Sequence, residues 1–242
     1  MSRKIWLRAG GAFTALALVI TGCYVFLWLA RAAETTSFAY TGQVSRIEVN
    51  LNVGELTLSA GSAGEISGRQ ELIWSMVKPT VRRRWDAARQ TLTLDVGCQG
   101  RFGGRFALAM RCSAAFSLNV PPEASVQATT DSGDVTVRNM RGGLDLSSRA
   151  GDITVSGAAS PWVRAETTSG EVNVGCATAP STVTATTVSG NVLVTVPRAT
   201  SYAVEAKTRS GFTRAEVGNH PSATHRITAT ATSGNVMVRY PD

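Results

Sequence analysis

Acidic side chains recur directly after glycines in the second half of the chain, where they could bind a cation. Asp134, Asp152 and Glu171 occupy this position in three successive repeats, and carboxylate oxygens are ligands that Ca²⁺ prefers. The same position holds asparagine in two later repeats and Phe212 in another, and the nonapeptide of calcium-binding rolls is absent. We therefore interpret these residues as hydrogen-bonding groups at chain corners, keep calcium as the alternative, and predict no cofactor and no metal.

Few residues could support acid–base or nucleophilic catalysis. The only two histidines, His220 and His225, have no serine or cysteine motif beside them. Acidic residues are scattered one per repeat, whereas glycan cleavage requires two positioned carboxylates. We therefore predict that the protein is not an enzyme. The alternative, a carbohydrate-active β-helix enzyme, would be detected by turnover of cell-wall glycans.

Basic residues concentrate between residues 78 and 111, where eight of them accompany two acidic residues. Such a cluster could bind an anionic envelope polymer or anionic lipid headgroups. A strand with arginines facing solvent is the simpler interpretation. The candidate residues for an anionic-polymer patch are Arg82, Arg83, Arg84, Arg101 and Arg105. Nucleic acid is not an expected partner, because no recognition motif is present.

Two cysteines, Cys98 and Cys112, flank a glycine-rich basic loop. Outside the cytoplasm two thiols in neighbouring segments oxidise readily, and the bridge would stabilise the fold by about 3 kcal/mol. The alternative, a zinc site, lacks a second cysteine pair or nearby histidines. Cys176 has no evident partner, and we expect a small buried or turn residue there.

These residues belong to a chain with a repeat of about twenty residues that runs from Ala124 to the C-terminus. Apolar and polar residues alternate on both sides of a glycine in each copy, which predicts two short strands with one buried face. Five of the six copies fill four inward positions, as Val126, Ala128, Val135 and Val137 do. The second position is usually alanine, so the interior must be narrow there. The corner glycines are Gly133, Gly151, Gly170, Gly190, Gly211 and Gly234.

The repeats predict an all-β fold, because period-two alternation, frequent threonine and valine, and regular glycines all oppose a helix. One repeat alone cannot bury enough surface, but stacked repeats can share a core. We predict a β-solenoid or β-roll-like stack of two-strand repeats over residues 124–242, with a sandwich of the same repeats as the alternative. The fifth copy departs from the pattern after its glycine, at Phe212, and should form an irregular layer.

Residues 44–123 are β-like but less regular. Candidate strands cover residues 45–51, 56–58, 68–74, 81–85, 91–96 and 114–120. Because terminal units of repeat arrays are typically atypical, we interpret this region as an N-terminal β module, with a disulfide loop, that caps the repeats.

The first 43 residues predict a membrane anchor. Residues 9–30 contain no charge and would span roughly 33 Å as a helix, enough to cross a bilayer. Basic residues precede this segment, so residues 1–8 should be a cytoplasmic tail and the C-terminal domain should lie outside the cytoplasm, after a linker over residues 31–43. Two alternatives remain: lipidation at Cys23, since Ile20–Cys23 resembles a lipobox, and signal cleavage within Ala30–Ala33.

The recurrent T-x-S-G-[DEN]-V pattern behind a membrane segment resembles the bacterial β-strand-repeat proteins classed as putative adhesins, whose domain has no known function. The resemblance covers Val44 to Asp242. It implies a surface-exposed, non-enzymatic β domain on the bacterial cytoplasmic membrane, with a role in adhesion or envelope stress. Expected partners are the membrane, through the single N-terminal span, and envelope polymers or another envelope protein. Self-association through exposed repeats is the alternative.

Overall fold

The computed structural model of the protein describes residues 17–22, 31–75, 78–98 and 112–241. Residues 17–22 are helical, and the rest of the predicted span over residues 9–30 lies outside the described residues. Within the described ranges, no helix is both long and apolar enough to cross a membrane.

The remaining described residues form eighteen strands, as the alternating pattern predicts. They are β1 (Arg31–Thr41), β2 (Arg46–Ala60), β3 (Glu65–Ser75), β4 (Thr80–Asp86), β5 (Thr91–Gly97), β6 (Cys112–Val120), β7 (Ser125–Ser132), β8 (Val135–Arg138), β9 (Leu144–Ala150), β10 (Ile153–Ala158), β11 (Trp162–Ser169), β12 (Val172–Cys176), β13 (Thr182–Ser189), β14 (Val192–Thr195), β15 (Tyr202–Ser210), β16 (Thr213–Ala215), β17 (His225–Ser233) and β18 (Val236–Arg239).

Two layers of strands enclose one core. In layer A the strand order is β1, β3, β6, the second half of β2, β8, β10, β12, β14, β18 and β16. In layer B it is β4, β5, the first half of β2, β7, β9, β11, β13, β17 and β15. Pairing is parallel except for β1–β3, β3–β6 and β4–β5. The predicted solenoid is therefore confirmed, and each repeat forms one rung with a strand in each layer.

The core is one continuous row of small apolar side chains between the layers. All twenty inward residues of the five regular repeats are at most 2% exposed. A third inward position follows in layer B and holds buried Thr130, Ser148, Thr167 and Thr187. Thr167 Oγ1 donates to the carbonyl of Gly151, and Thr187 Oγ1 donates to that of Gly170, both at 3.0 Å. Ser148 Oγ donates to the carbonyl of Gly133 at 3.4 Å, so three of these four polar side chains bond neighbouring rungs together, whereas the Thr130 hydroxyl is buried without a partner among the described residues.

The corner glycines form a ladder in which each lies against the carbonyl of its neighbour. All six repeat glycines have φ between 137° and 152°, a region that glycine adopts at little cost. A Cβ built on Gly170 would lie 2.2 Å from the carbonyl oxygen of Gly151. Only glycine fits such a close approach, so the recurrent glycine follows from the stacking itself.

The rungs do not stack in chain order at either end. The last rung, β17–β18, lies between β13–β14 and β15–β16. Likewise β2 lies between the β5–β6 rung and the β7–β8 rung. The irregular fifth repeat is therefore the outer edge of the stack. Its Val204 and Ala206 are only half-buried and its β16 residues are exposed, because no further rung covers them.

The prediction of a linker over residues 31–43 is wrong. Residues 31–41 form β1, which pairs antiparallel with β3 from Arg31↔Ser75 to Thr41↔Glu65. The segment is mostly polar, but Phe38 and Tyr40 alternate with small residues and pack against the core. The edge of β3 provides the backbone hydrogen-bond partners of β1. The polar sequence of residues 31–41 does not by itself predict a strand.

Candidate functional site: the N-terminal end of the stack

The described part of the predicted basic patch, Arg82, Arg83 and Arg84, lies on β4 at one end of the stack, but these three residues do not share one face. Because side chains alternate along a strand, Arg82 and Arg84 project outward while Arg83 points to the opposite side, toward Phe38 and Gln70, and all three remain exposed. Their strand partners on β5 are Asp95, Thr93 and Leu94, respectively. Arg101 and Arg105 lie outside the described residues, as does Cys23.

The outer face around β4 carries more positive than negative charge. Arg84 lines a shallow groove with Arg46, Arg89, Glu48 and Asp86. Arg46 contacts Glu48 and Arg89 contacts Asp86, each at 3.7 Å. In the described part of the chain, Arg82 and Arg84 have no carboxylate within ion-pair distance. Two guanidinium groups that form no ion pair in the described structure therefore face solvent on this side, with Asp95 opposite Arg82 on β5.

The inner face of β4 meets β1 and β3 across the end of the stack. Arg83 donates a hydrogen bond to Oε1 of Gln70, a side chain that is only 6% exposed. Its guanidinium carbon lies 4.0 Å from the ring centroid of Phe38, a cation–π contact. Burial lowers the pKa of Arg83 from its usual value. An arginine is thus held against an aromatic ring without a carboxylate partner among the described residues.

Behind these contacts lies a cavity of about 200 Å³. On one side of its mouth the rings of Tyr40 and Trp85 lie 4.9 Å apart, centroid to centroid. Lys78 and Glu34, which do not line the cavity, form an exposed ion pair at this end of the stack. The cavity is lined by Phe38, Ala39, Tyr40, Ile47, Arg83, Trp85, Leu92, Leu94 and Leu118. Sequence reasoning missed it because β1 supplies three of these residues, although the Phe38–Tyr40 alternation was a usable signal.

The disulfide between Cys98 and Cys112 is present, with the two Cα atoms 6.0 Å apart. It joins the end of β5 in layer B to the start of β6 in layer A. The end of the stack that holds the cavity is therefore also covalently closed.

Removing this bridge should weaken the domain. We expect the Cys98→Ser/Cys112→Ser variant to lose about 3 kcal/mol of unfolding free energy, because the unfolded chain regains the freedom of its closed loop. Urea unfolding monitored by circular dichroism measures this loss. Adding reductant to the native protein should reproduce it, and an unchanged midpoint in both cases would contradict the expectation.

Cys176 is the free thiol of the described residues, and it is buried in the core. Burial raises its pKa to about 12. Because the thiolate is the reactive form, we expect Cys176 to resist iodoacetamide at pH 8 in the folded protein and to react after urea unfolding. Mass spectrometry of the alkylated peptide tests this, and rapid labelling of native protein would contradict it.

The side chains of Asp134, Asp152 and Asn191, each directly after a corner glycine, bond the backbone of adjacent rungs, whereas Glu171 accepts from the Asn191 side chain. Asp134 Oδ1 accepts a hydrogen bond from the amide of Asp152 at 2.9 Å, and Asp152 Oδ1 accepts one from the amide of Glu171 at 2.8 Å. Asn191 Oδ1 accepts from the amide of Asn235 at 2.9 Å in the same way. In the described ranges, no three metal-ligating side chains come together. The ladder therefore stabilises the stack.

The histidines lie near the opposite end. His225 Nδ1 is 2.7 Å from the carbonyl oxygen of Pro180, and its ring lies edge-on to that of Tyr202. His220 is exposed. In the described part of the chain, neither imidazole is hydrogen-bonded to a carboxylate, serine or cysteine side chain. This geometry gives no activated nucleophile.

The fold defines the class of protein as a β-solenoid module. Its rungs are parallel and turn at glycine corners, and a disulfide and a cationic edge strand lie at one end. Its chain belongs to the Toastrack DUF4097 family, whose model matches residues 41–240. The resemblance to the β-strand-repeat adhesin family is thereby confirmed. No curated protein is significantly similar to the chain.

One solved structure supports the fold, and a second shows a weaker similarity. A putative cell adhesion protein from Clostridium sporogenes superposes with a TM-score of 0.50 at 13% identity, over 86% of this chain and 100% of that one. A putative adhesin from Bacteroides fragilis superposes with a TM-score of 0.47 at 10% identity, over 86% and 97% of the two chains. At these identities the similarity is one of fold alone.

Proposed function

We propose that the protein is a non-enzymatic, membrane-anchored module whose β domain lies outside the cytoplasm and binds or scaffolds at the bacterial cell surface. The uncharged segment over residues 9–30, preceded by basic residues, supports the anchor and its orientation. The disulfide between Cys98 and Cys112 supports an oxidising compartment. The similar fold of the putative cell adhesion protein from Clostridium sporogenes supports a binding role.

The observation that carries the binding proposal is the pair of exposed arginines on the outer face of β4 that form no ion pair within the described ranges. Arg82 and Arg84 project from an edge strand and have no carboxylate partner among the described residues. A guanidinium group donates two parallel hydrogen bonds to a phosphate or carboxylate. Repeated anionic groups along an envelope polymer could engage both arginines at once.

Binding is tested with polyphosphate as the probe and the full chain in nanodiscs of zwitterionic lipid. We expect the double variant Arg82→Gln/Arg84→Gln to weaken binding at least tenfold, and binding of the native protein to weaken as salt is raised. Arg141→Gln is the matched control, because this arginine is exposed and already contacts Glu123 at 3.3 Å. Equal polyphosphate binding by the double variant and the control would contradict the proposal.

Orientation is tested separately. A fusion of alkaline phosphatase to Asp242 should be active in cells, because that enzyme requires export to fold. An inactive phosphatase fusion together with an active cytoplasmic reporter at the same position would place the β domain inside and overturn the location.

A second candidate function is self-association as an envelope regulatory component. The observation that favours it is the outer rung β15–β16, where Val204 and Ala206 are half-buried and Phe212 is 55% exposed. Open strand edges pair readily with other chains. Sedimentation of the full chain in detergent would show oligomers that Val204→Lys abolishes, whereas a monomer at all concentrations would contradict this function.

A further inference from the structure

The cavity at the N-terminal end has the chemistry of an amphiphile site. Eight of its lining residues carry apolar or aromatic side chains, and the ninth, Arg83, brings one positive charge to it. We propose that the cavity binds the acyl chain of an anionic, single-chain amphiphile, with the anionic headgroup held by Arg83. Neither the fold nor the binding face around Arg82 and Arg84 requires such a site.

The lining selects a hydrocarbon over a sugar or a peptide. Sugars and peptides need several buried hydrogen-bond partners, because an unpaired polar group is costly to bury. Besides Arg83, the lining side chains offer only the Tyr40 hydroxyl and the Trp85 ring nitrogen. An alkyl chain needs no such partners and gains by leaving water.

Arg83 selects an anionic headgroup. A guanidinium group has five N–H donors, and the described structure gives Arg83 one hydrogen-bond acceptor, Gln70. Stacking on Phe38 fixes the plane of the group without neutralising its charge. The free donors can therefore bind a carboxylate or a phosphate in a bidentate manner.

The cavity volume limits the ligand to one chain. About 200 Å³ is below the roughly 300–1,000 Å³ of pockets that enclose drug-sized ligands. It accommodates part of a single alkyl chain and not a two-chain lipid. A free fatty acid and a lysophospholipid share the required chemistry.

The position of the cavity favours a membrane source for this ligand. Phe38 and Tyr40 lie on β1, which begins at Arg31, directly after the segment proposed as the anchor. Extended chain between Arg31 and Phe38 spans about 23 Å at most. In this step the inference rests on the proposed membrane anchor.

The experiment is photolabelling of the full chain in phosphatidylcholine nanodiscs with dodecanoate that carries a terminal diazirine. Crosslinked peptides are identified by mass spectrometry. We expect labelling on β1, β4 or β5, at least tenfold above that by the matched diazirine dodecanol. A photoreactive lysophosphatidylglycerol arm distinguishes the two sources, and preferred labelling by either anionic probe supports the site.

Variants separate the headgroup contact from the cavity. Arg83→Gln should lower labelling by dodecanoate about tenfold, whereas Arg82→Gln, on the opposite face of the same strand, should change it less than twofold. Leu94→Phe should abolish labelling by filling the cavity. Gly68→Ala provides a second variant that perturbs the cavity, because its Cβ would lie 2.6 Å from Leu118 Cδ2 and 2.8 Å from Phe38 Cζ, so that these two lining side chains must shift.

Two outcomes would overturn the inference. One is equal labelling of β1, β4 and β5 by dodecanoate and dodecanol in the native protein, which needs no variant. The other is undiminished labelling in a folded Leu94→Phe protein, as judged by circular dichroism. Polyphosphate binding through Arg82 and Arg84 is measured independently. A negative result for the amphiphile site therefore does not contradict the proposed function, and a negative result for polyphosphate binding does not contradict the amphiphile site.

Discussion

Replacing Gly170 with alanine is expected to destabilise the β domain by about 4 kcal/mol. The new Cβ would lie 2.2 Å from the Gly151 carbonyl oxygen and 2.6 Å from its carbon, and Gly170 has a φ of 144°. Backbone strain of this kind costs about 1–3 kcal/mol, and overpacking costs about 1–3 kcal/mol more. The obstructing atoms are backbone held in the ladder, so they cannot rotate away.

Gly175→Ala is the matched control within the same rung. It lies in β12 without a positive φ, and its nearest contact would be an ordinary 3.5 Å to Val155. We expect its unfolding free energy to stay within about 0.5 kcal/mol of the native value. Urea denaturation of both variants measures the difference, and equal midpoints would show that the corner is not sterically closed.

Replacing Leu146 with alanine should cost a similar amount, about 4 kcal/mol, near the upper part of the range for buried leucines. Leu146 is fully buried, and its partners in the two neighbouring rungs are Ala128 and Ala165. Truncation would put three alanines side by side. The resulting void cannot collapse readily, because hydrogen bonds on both sides hold the strand in place.

Ser147→Ala controls for the change of strand composition, because Ser147 points away from the core. Thermal and urea unfolding of the two variants should separate them by more than 3 kcal/mol if the cavity cost dominates. If Leu146→Ala lowered the unfolding free energy by less than about 1 kcal/mol, the two layers would have to move together and fill the void. The narrow, alanine-filled interior does not allow such a movement.

Much of the repeat architecture could be predicted from the sequence because its determinants are local. Alternation of Val163 and Ala165 before Gly170, and of Val172 and Val174 after it, identifies two strands and a corner. The third inward position was missed because Thr167 and its equivalents are polar, although alternation places Thr167 on the same face as Val163 and Ala165. The hydroxyls of Ser148, Thr167 and Thr187 bond carbonyls of the neighbouring rung, a partner that no single repeat reveals.

The order of the rungs could not be predicted. Ile227 of the last rung pairs in the same register with Val183 on one side and with Val204 on the other. Similar rungs offer similar interfaces, so the pattern is compatible with several orders. The sequence indicates the rung order at one point only. The fifth repeat loses the alternating pattern after Gly211, which is consistent with its position at the outer edge of the stack.

The candidate site was predicted only in part. Three consecutive arginines indicate a charged strand, but alternation turns Arg83 toward the cavity and leaves Arg82 and Arg84 on the outer face, and all three side chains are exposed at the end of the stack. The contacts of Arg83 depend on Phe38 and Gln70, which are distant in sequence. Long-range pairing of β1 with β3 brings them together, and no local signal specifies that pairing.

The exchanged rung order is tested most directly by engineered disulfides, with Cys23 and Cys176 replaced by serine and alanine. Thr186 and Thr230 lie on adjacent rungs with their hydroxyl oxygens 3.1 Å apart, so the Thr186→Cys/Thr230→Cys pair should oxidise. Lys207 lies one rung beyond Thr230, about 9.6 Å from Thr186 and beyond disulfide reach. The Thr186→Cys/Lys207→Cys pair should therefore stay reduced. If the second pair oxidised and the first pair stayed reduced, the β15–β16 rung would lie next to the β13–β14 rung, in chain order. That result would contradict the rung order described above and the position of β15–β16 at the outer edge.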